Sequence, residues 1–188
     1  MKLLFRPLSW SISLVGFCLV GIAASPVLGD QNVVTETFNV QPVSCEGLNL
    51  NGVLYSFTVG GSPNSDCVAG LFFGPGATNN INPPNIEGTA SGVLHLTFDK
   101  PTTEFGFGVA QSVFGVPQSV IISLNRPGEG LLREEVQLTT TNDPFFVGGR
   151  YNYSGPAVKT VTITFSNAGG RFALDNVSYF RPPGQSGQ

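Results

Sequence analysis

The chain has 188 residues, of which only 11% are charged, with 24 glycines, 15 phenylalanines and a formal charge of −3. An acidic balance without any basic cluster excludes recognition of nucleic acid or an anionic membrane by charge. The abundance of glycine, aromatic residues and threonine suits twisted sheets with tight turns and argues against a helical protein.

At the N-terminus, Lys2 and Arg6 precede an apolar run over residues 12–24, and Val27 and Gly29 occupy the small-residue positions before Asp30. This is the pattern of an export signal over 1–29, cleaved before Asp30. The run is shorter than the roughly 20 residues of a membrane span, and no second apolar segment follows, so no span is expected after cleavage. Phe17 is too large for the small residue that would make Cys18 a lipidation site. Removing the first 29 of the 188 residues leaves 159, one well-buried domain (30–180) with a tail at 181–188, RPPGQSGQ. The mature charge is near −5, from 7 basic and 12 acidic residues. The location implied is secreted, at the cell exterior.

Strands are expected at 33–40, 53–59, 68–73, 93–98, 104–110, 119–124, 131–139, 145–151, 158–165 and 172–180. Each is bounded by Gly, Pro, Asn or Asp, at a spacing that fits an all-β, two-sheet antiparallel sandwich of jelly-roll type. Residues 91–110 and 157–179 each read as two alternating strands joined by a short polar turn. In the second, Val161, Ile163 and Phe165 share one face and Thr160, Thr162 and Thr164 the other, the period of two of a half-buried strand. The polar stretch 74–88, GPGATNNINPPNIEG, reads as a long loop because Pro83-Pro84 prevents regular pairing.

Export leaves Cys45 and Cys67, and an even count in an oxidising compartment predicts one disulfide. It would clip together the loops flanking strand 53–59. In the last strand, Phe172 and Leu174 have one parity and Val177 and Tyr179 the other, so the strand must slip by one residue at Asp175-Asn176. That bulge is expected to turn Asp175 off the solvent face. Two roles stay open there: hydrogen bonding to a neighbouring loop's backbone, or ligation of a metal by Asp175.

Phe105, Phe107 and Val109 point inward and leave Gly106 and Gly108 on the opposite face. The glycines mark either a crossing loop or a flat platform where a ligand meets the backbone. Tyr151, Tyr153 and Phe146 are the aromatics expected to flank such a platform. His95, the single histidine, alternates with Leu94 and Leu96 and is expected outside and unpartnered. No Gly-Xaa-Ser-Xaa-Gly elbow is present to make a triad with it. Glu134 and Glu135 are adjacent on a strand and face opposite ways, so they are not by themselves the facing carboxylates of a glycosidase. One histidine and a paired cysteine set leave no zinc cluster. Asn152 and Asn176 each begin a glycosylation sequon.

The order TF…GVLYSF…GTASGVLHLTFDKPTTEFGFGVA…AVKTVTITFSNAGGRFALDNVSY resembles the secreted β-sandwich domains of bacterial PEP-CTERM surface proteins. Those are in turn similar to galactose-binding-like and family 4/9 carbohydrate-binding jelly rolls. The resemblance covers residues 33–179 and departs at the end, where the Pro-Glu-Pro sorting motif, apolar span and basic stop are missing, which implies release. It implies a structural Ca²⁺ held by Asp175 in the last strand and Glu36 in the first. The reading is a secreted, non-catalytic sandwich binding glycan or cell-surface matrix, with Gly106, Gly108, Tyr151 and Tyr153 as ligand-binding residues. The alternatives are a glycan or ester hydrolase using loop carboxylates, or a purely structural surface protein.

Overall fold

Two strands of 20 residues each, β8 (Val93–Ser112) and β12 (Phe146–Phe165), form the spine of the molecule. They pair antiparallel along almost their whole length, and the pairing slips between Ser154 and Val158 and again between Val158 and Thr160. At those slips the spine bends, so each long strand serves two layers. The structure is a computed structural model that describes residues 32–71, 80–112, 119–140, 145–166 and 170–181. The expected export signal and residues 182–188 of the expected tail lie outside these residues.

In the first layer, residues 93–98 of β8 pair with β4 (Val53–Val59), which also pairs with the short β3 (Leu48–Leu50) and β5 (Ser62–Pro63). Residues 160–165 of β12 pair with β9 (Ser119–Arg126), and β9 with β10 (Gly130–Gln137). In the second layer, residues 105–111 of β8 pair with β13 (Arg171–Arg181) on one side and with β12 on the other. The far edge of β13 is shared. Residues 171–174 pair with β7 (Asn85–Thr89), and residues 177–181 with β1 (Asn32–Glu36). Beyond β7 lie β6 (Cys67–Leu71) and β2 (Val43–Ser44), while β11 (Thr139–Thr140) pairs with β12. All the pairings are antiparallel, and the architecture is the expected all-β sandwich.

The alternation of apolar residues fills the space between the layers. Leu94, Leu96 and Phe98 are buried from the first half of β8, and Phe105, Phe107 and Val109 from the second. The change from even to odd numbers means that the bend at 99–103 shifts the register by one residue. Lys159 secures the bend by donating to the carbonyls of Phe98 (2.6 Å) and Asp99 (2.8 Å). Across the layers, the Phe165 and Phe172 rings stack with centroids 4.1 Å apart.

Neither expected hairpin forms. Residues 93–98 and 104–110 belong to the one strand β8, and 145–151 and 158–165 largely to β12. Among the described residues β12 and β13 share no pairing, and both pair with β8. Residues 85–88 of the expected loop belong to strand β7, and its residues 74–79 lie outside the described residues. β1 stops at Glu36 instead of residue 40, since Phe38 takes a left-handed φ of 52°.

Candidate functional site

Cys45 and Cys67 are bonded, with Cα atoms 5.3 Å apart, so the expected disulfide is present. It ties the end of β2 to the start of β6, beside the hydrogen bond from Cys45 N to Cys67 O at 2.8 Å.

The pairing of β13 with β8 breaks between Asp175 and Ser178, and Asn176 takes a left-handed φ of 52°. The expected bulge is therefore real, but the burial of Asp175 has another cause. Ala173 and Asp175 share the outer face of the second layer, with Ala110 and Gly108 opposite them on β8. Asp175 is 1% exposed because residues 80–84 lie across that face. Asn82 N–H donates to Asp175 Oδ2 at 2.8 Å, and Asn176 Nδ2 donates to the same oxygen at 3.1 Å and to Asn80 O at 3.3 Å. Ile81 packs against Ala110 and Ala173 beneath this crossing segment. Burial pushes the Asp175 carboxyl up to about 6 against the pull of the Asn82 and Asn176 donors, with the nearby Glu36 charge adding to the rise. Its Oδ1 is buried without a hydrogen-bond partner, a state that costs about 1–3 kcal/mol.

The two residues expected to share a metal are not arranged for one. Glu36 pairs with Val177 in register and faces the core, whereas Asp175 lies on the outer face. Both Glu36 oxygens receive donors, Oε1 from Phe38 N–H at 2.8 Å and Oε2 from Asn51 Nδ2 at 2.6 Å. Calcium takes six to eight oxygens. Among the described residues no group of three His, Cys, Asp or Glu side chains converges. The donor set fits a hydrogen-bonded junction between β1, β13 and the crossing segment.

The two candidate platform glycines differ. A Cβ on Gly108 would sit 1.9 Å from Asn80 O, so Gly108 marks the crossing loop and is closed to a ligand. Gly106 floors a shallow groove of about 220 Å³. In register, Gly106 lies between Asn152 of β12 and Ser178 of β13. Arg150 reaches over this row, donating from Nε to Asn152 Oδ1 at 3.0 Å and from Nη2 to Ser178 Oγ at 3.4 Å. Glu104, Val33 and Phe180 complete the rim.

Tyr153 lines the groove as expected, while Tyr151 does not. Both are largely buried, their rings tilted against Phe105 at centroid distances of 5.7 and 5.2 Å. Odd positions of β12 face the core here, so the alternation that makes Phe105 inward also takes the tyrosines inward. Tyr153 OH donates to Pro156 O at 2.7 Å, and Tyr151 OH donates to Glu134 of the other layer. Burial and this neighbouring carboxylate raise the Tyr151 phenol above its ordinary range. Phe146 is half-buried at the start of β12.

His95 also departs from expectation. It is half-buried, with Nδ1 3.2 Å from Thr162 Oγ1 and Nε2 3.5 Å from Thr58 Oγ1. Burial lowers its pKa, partly offset by Glu46. Threonines on both sides give it ladder partners and not the acid of a triad. Glu134 and Glu135 face opposite ways as expected, Glu135 accepting from Gln137 Nε2 at 2.9 Å. Asn176, of the two sequon residues, has its amide nitrogen engaged, while Asn152 is exposed.

The sequence reading passed over Arg150, Ser178 and Glu104, and took Asn152 only as a sequon. Their signal was present as alternation: each is an even-numbered polar residue next in sequence to an inward aromatic, Tyr151, Tyr179 or Phe105.

A second depression adjoins the first on the same face. It is a cleft of about 380 Å³ between Thr37 and Asn39 on one side and Asn82, Pro83 and Pro84 on the other, with Asp175 and Asn176 at its base.

No protein-family model matches the chain, and no curated protein matches it. Among solved structures, the K1 cleaved adhesin domain of Lys-gingipain from Porphyromonas gingivalis is similar at a TM-score of 0.51 and 12% identity, covering 78% of this chain and 96% of that one. The CBM22-1–GH10 modules of Clostridium thermocellum endo-1,4-β-D-xylanase 10B, complexed with xylohexaose, align at 0.44 and 16% identity over 85% of this chain. This chain spans 30% of that xylanase chain. A family 29 carbohydrate-binding module variant aligns at 0.40 and 9% identity, over 81% of this chain and 98% of that one. At these identities the adhesin-domain likeness establishes a shared β-sandwich fold, and nothing finer.

Proposed function

We propose that this chain is a secreted, non-catalytic sandwich that binds a neutral glycan on the outer face of its second layer. The observation that carries the reading is the Gly106 groove. The absent side chain at Gly106 lets the Asn152 amide lie over the strand, its Oδ1 2.6 Å from where a Cβ would stand, with Ser178 and Arg150 beside it and Val33 and Phe180 at one end of the groove. Binding sites combine apolar surface with a few placed polar groups. A sugar ring presents the same combination, an apolar C–H face edged by hydroxyls. Among the described lining residues Glu104 is the single carboxylate, whereas glycoside hydrolysis commonly uses a facing pair. That supports binding over catalysis. The Cys45–Cys67 bond supports an oxidising compartment and hence export.

Isothermal titration of the full chain against xylohexaose, mannohexaose and cellohexaose tests the reading. At least one should bind, and Asn152→Ala should weaken it about tenfold, the loss of roughly 1.4 kcal/mol expected for one good polar contact. Failure of all three to bind, or unchanged affinity in Asn152→Ala and Arg150→Ala, would discard it.

A further inference from the structure

The groove over Gly106 and the cleft over Asp175 are successive stations along one strand. Ser178 and Phe180 line the groove, Asp175 and Asn176 the cleft, and because the bulge sets Asp175–Ser178 against only Gly108–Gly106, the run from Asp175 to Phe180 covers about 13 Å, four strand rises of ~3.3 Å. That is longer than a single sugar ring. Asp175 is 1% exposed, its Oδ2 is taken by Asn82 N–H and Asn176 Nδ2, and its Oδ1 is left without a donor. An acidic side chain buried at this cost fixes the Asn82 backbone and the Asn176 amide at the base of the cleft.

The chemistry of the lining narrows the ligand. Among the described residues no Lys, Arg or His lines the cleft, which disfavours an anionic ligand. Asn39, Asn82 and Asn176 supply amides that both donate and accept, and Thr37 a hydroxyl. A metal ion is disfavoured because two N–H donors point at Asp175 Oδ2, and Glu36 faces the core with both oxygens engaged. A neutral ligand bearing adjacent hydroxyls matches amides and a hydroxyl that each donate and accept.

We propose that the cleft is a second saccharide subsite on the same face as the Gly106 groove, in which Thr37, Asn39 and Asn82 hold adjacent hydroxyls of a terminal ring and the buried Asp175 positions Asn82 and Asn176 beneath it. It rests on the glycan-binding reading and adds to it a length requirement and an end-on station for the chain terminus.

The test is titration calorimetry of the full chain with a di- to hexasaccharide series of whichever sugar binds, in EDTA. Affinity of the parent should rise with chain length. Asn39→Ala and Asp175→Asn should each lose about tenfold for the hexasaccharide and flatten the dependence on length. Asn39 is exposed, so Asn39→Ala decides the matter even if Asp175→Asn folds poorly. Parent-like affinity in Asn39→Ala, alongside weakened binding in Asn152→Ala, overturns the second subsite and leaves the groove. Binding that EDTA abolishes and CaCl₂ restores in the parent would make the cleft a metal site and also overturn it. Failure of every saccharide to bind removes the glycan reading itself, and the subsite with it.

Discussion

Phe105 concentrates the aromatic core in one side chain. Its ring lies 5.5 Å from Phe98, 5.7 Å from Tyr151 and 5.2 Å from Tyr153, at 4% exposure. It sits just after the bend of β8, so it fills the space that opens where the spine changes layer. Truncation there removes a large ring and leaves a cavity that these rigid neighbours cannot close. Phe105→Ala should cost about 3–5 kcal/mol in chemical denaturation; a loss under 1 kcal/mol would mean that the bend repacks freely. At this scale the sequence was legible where parity alone decides. The inward direction of Phe105, Phe107 and Val109 followed from alternation. Applied to the facing strand, the same alternation turns Tyr151 and Tyr153 inward. What escaped was pairing between distant strands: Gly106 becomes a groove floor only because Asn152 and Ser178 are its lateral neighbours, a fact of register that no local pattern encodes.

Among the elements, the crossing segment 80–84 does more than connect β6 to β7. Ile81 buries itself on Ala110 and Ala173, Asn82 holds Asp175, and Asn80 lies against Gly108. All four residues it covers on β8 and β13 are small or are bonded to it, which explains why Gly108 stands where a strand would ordinarily prefer a branched residue. A methyl on Gly108 would meet the Asn80 backbone carbonyl at 1.9 Å. Because the obstacle is backbone, relief requires lifting the segment. Gly108→Ala should cost about 1–3 kcal/mol, typical of overpacking, and should raise hydrogen exchange at Asn82 N–H more than in β9 or β10. Uniform exchange across the layers would contradict that local account. The strand edges from 53–59 and 172–180 were close to legible, since both are bounded by turn residues. The joining of 93–98 to 104–110 into one strand was not. Pro101 and the charges at 99–100 look like a turn, but here they mark a bend, at which Lys159 caps the carbonyls that the slipped ladder frees.

For the molecule as a whole, two buried acids on the outer face of the second layer set how stability responds to pH. Burial lifts Glu87 to about 7, with Arg171 pulling the other way, and lifts Asp175 to about 6. Unfolded Asp and Glu titrate near 3.9 and 4.3. Between those values and the folded ones, the native chain holds protons that the unfolded chain has released. Stability therefore falls as pH rises through this window, from about 4 to about 7. The benefit is complete below pH 4 and lost above 7. The exposed pairs Arg126–Glu129 and Arg171–Asp66, each at 3.3 Å, add little in either direction. A net negative charge opposes compaction more strongly as the remaining acids ionise, which adds to the same trend. The melting temperature should be several degrees higher at pH 5 than at pH 8. The double variant Glu87→Gln/Asp175→Asn should flatten that difference, because its amides stay neutral throughout. Scanning calorimetry of both proteins at the two pH values checks this, and a parent more stable at pH 8 than at pH 5 would show that the two carboxyls are charged and satisfied in the folded chain.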